Sequence, residues 1–331
     1  MYFECWLGIF LSLWGMFIFR SIGSLDSTIK DANANGVNTR PIIGIVTERL
    51  YAPSPDGSNH TDTKSSFIAA SYVKWIESGG ARVVPILMDK HEDYYAKMFH
   101  SVNGVMFPGG AVSLNHSGYA RAGRFLLKLA INEAASGGYF PVWGTCLGFE
   151  LISEIMASDP RIISKCSAEN ISLSIDLSPD FKSSRLFGSS SPEITDILQG
   201  KNLTANSHHF CVTTSNFEKY HMTDHYRLLS TSTTPSGETF VSAMEGKTYP
   251  IYGVQFHPEK SNFEWRHPSA VSHSAEAVLV SQFFANFFVS EARKNNHRFP
   301  SQEQEDDALI YNWNPVFSKN TVYDQIYVFP F

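Results

Sequence analysis

The chain has 331 residues, a net charge of −6, 43% hydrophobic and 18% charged residues. A chain of this length buries a full core without a disulfide framework, and its hydrophobic content sets it apart from disordered sequences. It holds no block of five Lys or Arg, so the electrostatic footprint of a nucleic-acid-binding protein is missing.

An apolar run from Cys5 to Phe19 is followed by Arg20 and small residues. The run is shorter than the roughly 20 residues a bilayer-spanning helix needs. It reads as a signal peptide, residues 1–24, cut near Ile22 to Ser24, with no stable membrane insertion afterwards. Residues 25–40 are polar and aperiodic, a linker, and the folded domain is expected over 41–331. Four sequons, at Asn59, Asn115, Asn170 and Asn202, agree with entry into the secretory route and are candidate glycosylation sites. With Cys5 in the leader, Cys146, Cys166 and Cys211 remain. Three is odd, so at least one thiol is free or pairs between chains; whether Cys166 and Cys211 pair stays open.

Ile42 to Val46 has the β-branched character of a strand buried on both faces. Lys64 to Gly79 has helical spacing and ends on a glycine pair. Strands are expected at Ala81 to Leu87 and Asn103 to Phe107, a helix at Tyr119 to Ala135, and a short strand at Phe140 to Trp143. This alternation predicts an α/β three-layer sandwich, its mostly parallel central sheet flanked by helices and its sites at the strands' C-terminal ends. From Arg161 to Tyr252 shorter strand-like runs predict an antiparallel or mixed elaboration. Ile251 to Phe256 is another buried strand and Ser272 to Asn295 a helix. The aromatic tail from Ala308 to Phe331 is expected to pack, because so many exposed rings would invite aggregation.

The strongest chemical signal is Gly144-Thr-Cys146-Leu-Gly148, placed where a strand gives way to a helix. A sharp turn there pushes the central side chain into the open, and the flanking glycines permit close approach. The helix after Cys146 aims free N–H groups at the sulfur, which favours the thiolate. A cysteine nucleophile needs a histidine partner. His257 ends the Ile251 to Phe256 run, and Glu259, two residues on, would point the same way in an extended segment and orient the imidazole. Pro108-Gly109-Gly110 ends an earlier strand; its glycines and the N–H of Leu147 are candidate oxyanion donors.

The order P-G-G, G-T-C-L-G-F-E, Y-G-V-Q-F-H-P-E resembles the class I glutamine amidotransferases, in which Cys and His form the catalytic pair with a supporting Glu. Further segments narrow the likeness to the γ-glutamyl hydrolase family: Pro41-Ile-Ile-Gly-Ile, Leu203-Thr-Ala-Asn-Ser-His, Phe288-Val-Ser-Glu-Ala-Arg-Lys-Asn-Asn-His and Ala308-Leu-Ile-Tyr-Asn-Trp. The resemblance implies hydrolysis of γ-glutamyl amide bonds in poly-γ-glutamylated folates and antifolates, with no metal and no organic cofactor. It implies a secreted or lysosomal homodimer, and a role for His208, in the family's N-x-H segment, in binding or orienting substrate. Two other readings stay open: a broader γ-glutamyl amidase acting on small compounds, and a catalytically silent secreted binding protein of the same fold. Which basic residues take the substrate's carboxylates is left open.

Overall fold

The computed structural model describes residues 37–53, 60–319 and 321–331, so the expected leader, most of the linker and the Asn59 sequon lie outside the described residues. The chain runs β1 (Ile42–Val46), β2 (Glu48–Pro53), β3 (His60–Ala69), α1 (Ala70–Ser78), β4 (Arg82–Ile86), α2 (Glu92–Phe99), β5 (Gly104–Phe107), α3 (Gly118–Ala135), β6 (Val142–Thr145) and α4 (Leu147–Ala157). It continues through β7 (Ile163–Leu173), β8 (Asp176–Leu177), α5 (Pro192–Gly200), β9 (Thr204–Val212), β10 (Tyr226–Thr233), β11 (Thr239–Gly246) and β12 (Ile251–Val254). Last come α6 (Ala275–Ala292), β13 (Val316–Phe317) and β14 (Gln325–Pro330).

The main sheet has eight strands in the order β4-β1-β5-β6-β12-β11-β10-β8. The first five are parallel and the last three antiparallel, the mixed elaboration foreseen between Arg161 and Tyr252. Side chains divide by the period of two that a pleated strand imposes. Ile43 and Ile45 of β1 join one core with α1, α5 and α6, whereas Ile42 and Val46 join the other with α2, α3 and α4. The result is the expected three-layer sandwich.

A second sheet, β13-β14-β3-β2, is built partly from the aromatic tail. It corrects one expectation: residues 64–69 are strand, not the first turns of a helix, because β14 pairs with Ser65 through Ala69. That partner is remote in sequence, and edge pairing outweighs the local helical spacing.

The remaining pair, β7 and β9, is antiparallel and carries a Cys166–Cys211 disulfide with its Cα atoms 5.8 Å apart. This answers the pairing question and leaves Cys146 the free cysteine of the described residues. The bridge closes a loop across a separation of 45 residues, which by chain entropy is worth about 4 kcal/mol. Among the described residues no helix is long and apolar enough to cross a membrane.

Candidate active site

Cys146 is the residue between β6 and α4, with φ 51° and ψ −105°. That backbone is sparsely populated by any residue with a Cβ, so the surrounding structure must hold it. Its N–H donates to Val254 O at 2.9 Å, and its carbonyl accepts the first helical bond, from Glu150 N at 3.0 Å. Both flanking glycines are sterically required. A Cβ at Gly144 would lie 2.6 Å from the backbone of Gly148, and one at Gly148 would overlap the Phe107 carbonyl. The G-x-C-x-G spacing therefore records how tightly the turn is folded against β5.

β12 lies parallel and adjacent to β6, with Val254 opposite Thr145, so the two strand ends deliver Cys146 and His257 to one edge. The space beside the Gly109 Cα shows how close they come. A methyl group there would sit 2.7 Å from His257 Cε1 and 3.2 Å from Cys146 Cβ.

The His257 N–H donates to Ala205 O at 2.8 Å, and Nδ1 lies 2.7 Å from Glu259 Oε1. A carboxylate oxygen accepts, so Nδ1 carries the proton and Nε2 keeps its lone pair. Glu259 reaches the ring from a turn rather than the expected extended segment, its own backbone being helical at φ −70° and ψ −24°. Pro258 starts that turn and folds the carboxylate back onto the imidazole.

Cys146, His257 and Glu259 are all buried. Burial pushes the Cys146 thiol pKa up, with Glu150 adding to the rise and Lys260 opposing it. Burial pushes the His257 imidazole pKa down, with Lys260 adding to the fall and Glu259 opposing it. Both directions favour thiol beside neutral imidazole. Burial thus runs against the resting thiolate that the helix start and the Leu147 N–H favour.

The Pro108-Gly109-Gly110 loop is held by three tyrosines that sequence reasoning did not single out. The Gly109 N–H donates to the Tyr72 hydroxyl at 2.9 Å, while Tyr72 Oη also lies 3.2 Å from His257 Nδ1. Tyr119 donates to Pro108 O at 2.7 Å, and Tyr323, from the C-terminal tail, donates to Gly109 O at 3.3 Å. The Gly109 amide, one of the candidate oxyanion donors, is thus engaged by Tyr72. Gly110 packs so closely on the buried Glu48 carboxylate that a Cβ would overlap it, and the next amide, Ala111, donates to Glu48 Oε1 at 2.8 Å.

His208 is buried, with Nδ1 2.8 Å from Phe210 O and Nε2 3.1 Å from Asn206 Oδ1. Burial, and then the neighbouring His257, lowers its pKa to about 3. Asn115, Asn170 and Asn202 are exposed. A cavity of about 350 Å³ adjoins this edge, lined by Asn206, Lys260, Glu264 and Arg266 among others. Arg266 is occupied there by Ser318 O and Thr321 O, whereas the half-buried Lys260 acts on both Cys146 and His257.

Comparison with known proteins follows the same lines. The family model of peptidase C26 matches residues 41–259. γ-Glutamyl hydrolases of Rattus norvegicus and Homo sapiens are each 40% identical over 291 residues, covering 88% of this chain and 90% of theirs. γ-Glutamyl hydrolase 1 of Arabidopsis thaliana is 35% identical over 297 residues, covering 88% of this chain and 84% of its own. Among solved structures, the glutaminase domain of Trypanosoma brucei CTPS is similar in fold, with a TM-score of 0.50 at 15% identity, over 79% of this chain and 98% of that one.

Proposed function

The chain belongs to the peptidase C26 family, and on that premise we propose that it is a cysteine-type γ-glutamyl hydrolase acting on folylpoly-γ-glutamates and antifolate polyglutamates. One observation carries the assignment of roles: Cys146 at a strained strand-to-helix turn and a Glu259-oriented His257 both close in on Gly109 so tightly that no methyl group fits there.

In the complex, His257 Nε2 takes the thiol proton as sulfur attacks the γ-carbonyl carbon. The carbonyl oxygen becomes an oxyanion, for which the N–H groups of Gly110 and Leu147 are the donors. When the C–N bond breaks, the imidazolium protonates the departing α-amino group and a thioester remains. His257 then deprotonates water for attack on the thioester, and the thiol is regenerated with release of the acid. The buried carboxylate of Glu259 balances the imidazolium in both steps. His208, neutral because of its burial, orients the β9 segment whose Ala205 carbonyl holds the His257 backbone.

Gly109→Ala tests the loop. Its methyl would press on Tyr72 Oη and His257 Cε1 at once; the loop must then shift and carry the neighbouring Gly110 N–H out of place, so kcat is expected to fall by about 10²- to 10³-fold, as when an oxyanion donor is lost. Activity within threefold of wild type, in a variant of unchanged melting temperature, would remove the loop from the mechanism.

Each γ-linked glutamate presents an α-carboxylate, and Lys260 is the cation on the cavity wall nearest the chemistry. Lys260→Met is expected to raise KM for a γ-glutamyl oligomer about tenfold or more, the value of one charge-assisted contact. A change confined to kcat would instead make Lys260 a tuner of the Cys146–His257 pair.

Three further points complete the reading. The chain works in a secreted or lysosomal setting, for which its disulfide and exposed sequons speak. It is a glycoprotein, with sugars at Asn115, Asn170 or Asn202. It pairs as a homodimer, for which the exposed Val316 and Phe317 on edge strand β13 offer apolar surface. The deciding experiment is the product pattern from a defined folate polyglutamate at mildly acidic to neutral pH. Release of glutamate or oligo-γ-glutamate supports the reading; tight binding without release would make this a binding protein. Turnover of small γ-glutamyl dipeptides in preference to the folate would make it a broader amidase.

A further inference from the structure

The segment Arg293-Lys-Asn-Asn-His297 plays no part in the chemistry above, yet it is closely built into the opposite end of the fold. It follows α6 and lies against the loop before β5, at the N-terminal edge of the parallel sheet, whereas Cys146 and His257 lie at the C-terminal edge. Buried Asn103 donates to Asn295 Oδ1 at 3.0 Å and to His297 O at 2.8 Å, and the His297 N–H donates to Asn295 Oδ1 at 2.8 Å. The backbone of His297 is thereby fixed.

Its ring is fixed as well. Nδ1 lies 2.9 Å from Phe99 O, and a carbonyl only accepts, so the proton sits on Nδ1 and the Nε2 lone pair points away. What Nε2 meets is Glu133 Oε2, 3.2 Å distant. Two lone pairs at that separation repel unless something positive lies between them. A second proton on the imidazole would serve for the pair alone. The third member is His100, the exposed C-cap of α2, which brings a ring nitrogen so that all three ligand atoms fall within 4.8 Å of one another. Tetrahedral zinc with ligands at about 2.0–2.1 Å separates neighbouring ligand atoms by about 3.3–3.4 Å. The His297–Glu133 edge already has nearly that length, and His100 closes the rest by a small rotation in solvent. The Phe99 carbonyl behind His297 is the outer partner that metal-bound histidines keep.

We propose that His100, Glu133 and His297 bind a divalent cation of the zinc class. The ion ties the ends of α2 and α3 to the segment after α6, at the far side of the sheet from the hydrolytic site.

The test is calorimetric titration of untagged, chelator-treated full-length protein with ZnCl₂, done in a Cys146→Ala background so that the thiol does not compete. Co²⁺ absorption spectra report the ligand geometry. Binding of one ion per chain is expected, with tetrahedral Co²⁺ bands and a rise in melting temperature on loading. Because His297 also knits the sheet edge, the decisive variants are His100→Ala, whose side chain is exposed, and Glu133→Gln. Each is expected to weaken binding at least about 100-fold, beyond the loss of an outer-shell partner. Absence of stoichiometric binding, or binding unchanged in both variants, would overturn the proposal and leave Glu133–His297 an ion pair only.

Discussion

Cys146→Ala is expected to lose at least about 10⁴-fold in γ-glutamyl turnover while keeping substrate affinity and fold, because the residue proposed to form the covalent intermediate is gone and little else has changed. The backbone adds a sharper test. Cys146 sits at φ 51° and ψ −105°, a conformation that costs any residue with a Cβ on the order of 1–3 kcal/mol. Cys146→Gly should be equally inactive yet more stable than Cys146→Ala. Part of that gain is cancelled by the freer unfolded chain, about 0.4–1 kcal/mol, leaving a net difference of about 1 kcal/mol. Single-turnover glutamate release measures the first effect and denaturant titration the second. Equal stability of the two variants would mean that the turn stores no strain, and residual turnover in both would place the nucleophile elsewhere.

The second large effect is on stability against pH. Burial raises the pKa of Glu48 to about 7, of Glu150 to about 8 and of Glu264 to about 6; hydrogen bonds from Ala111, Gln255 and Asp324 only partly oppose it. A carboxyl whose folded pKa lies above its unfolded value holds its proton more tightly in the native state. Below about pH 4.5 its contribution is complete; from there to the folded pKa the unfolded chain ionises first and stability falls as pH rises. Each pKa unit is worth about 1.4 kcal/mol, so the three groups together should remove several kcal/mol between about pH 4.5 and 8. Melting temperature should therefore decline steadily across that window, and Glu150→Gln should flatten the decline by removing its largest single contributor. A melting temperature that climbs toward neutral pH would contradict the burial of these groups as neutral acids. The same slope would suit a protein that works in an acidic compartment.

What could be read in the residues was what is encoded locally. The strand-glycine-cysteine-glycine-helix pattern announces its turn because Gly144 meets Gly148 within five residues, whereas the reason Gly148 must be glycine, the Phe107 carbonyl of β5, lies far off in the chain. His257 and Glu259 were legible as partners, although a turn rather than an extended segment joins them. The Gly109 amide was legible as a donor aimed near the chemistry but not as one already engaged, because Tyr72 lies 37 positions away. Residues 64–69 read as helix for a similar reason, since β14, which makes them a strand, is distant in the chain. Lys260 directly follows H-P-E, but only the fold shows that it lines the cavity beside the Cys146–His257 pair.

The hydroxyl of Tyr323 on the Gly109 carbonyl carries a consequence for how the protein comes to life. Every residue of the Cys146–His257–Glu259 cluster has been synthesised long before Tyr323, and β14, which seats that tyrosine, pairs back onto β3 near the front of the domain. A nascent chain thus carries these groups for dozens of residues before the loop proposed to receive the oxyanion has its tail anchor. On the proposed roles, carrying the nucleophile and anchoring the loop beside it are events separated in time, the second waiting on the tail.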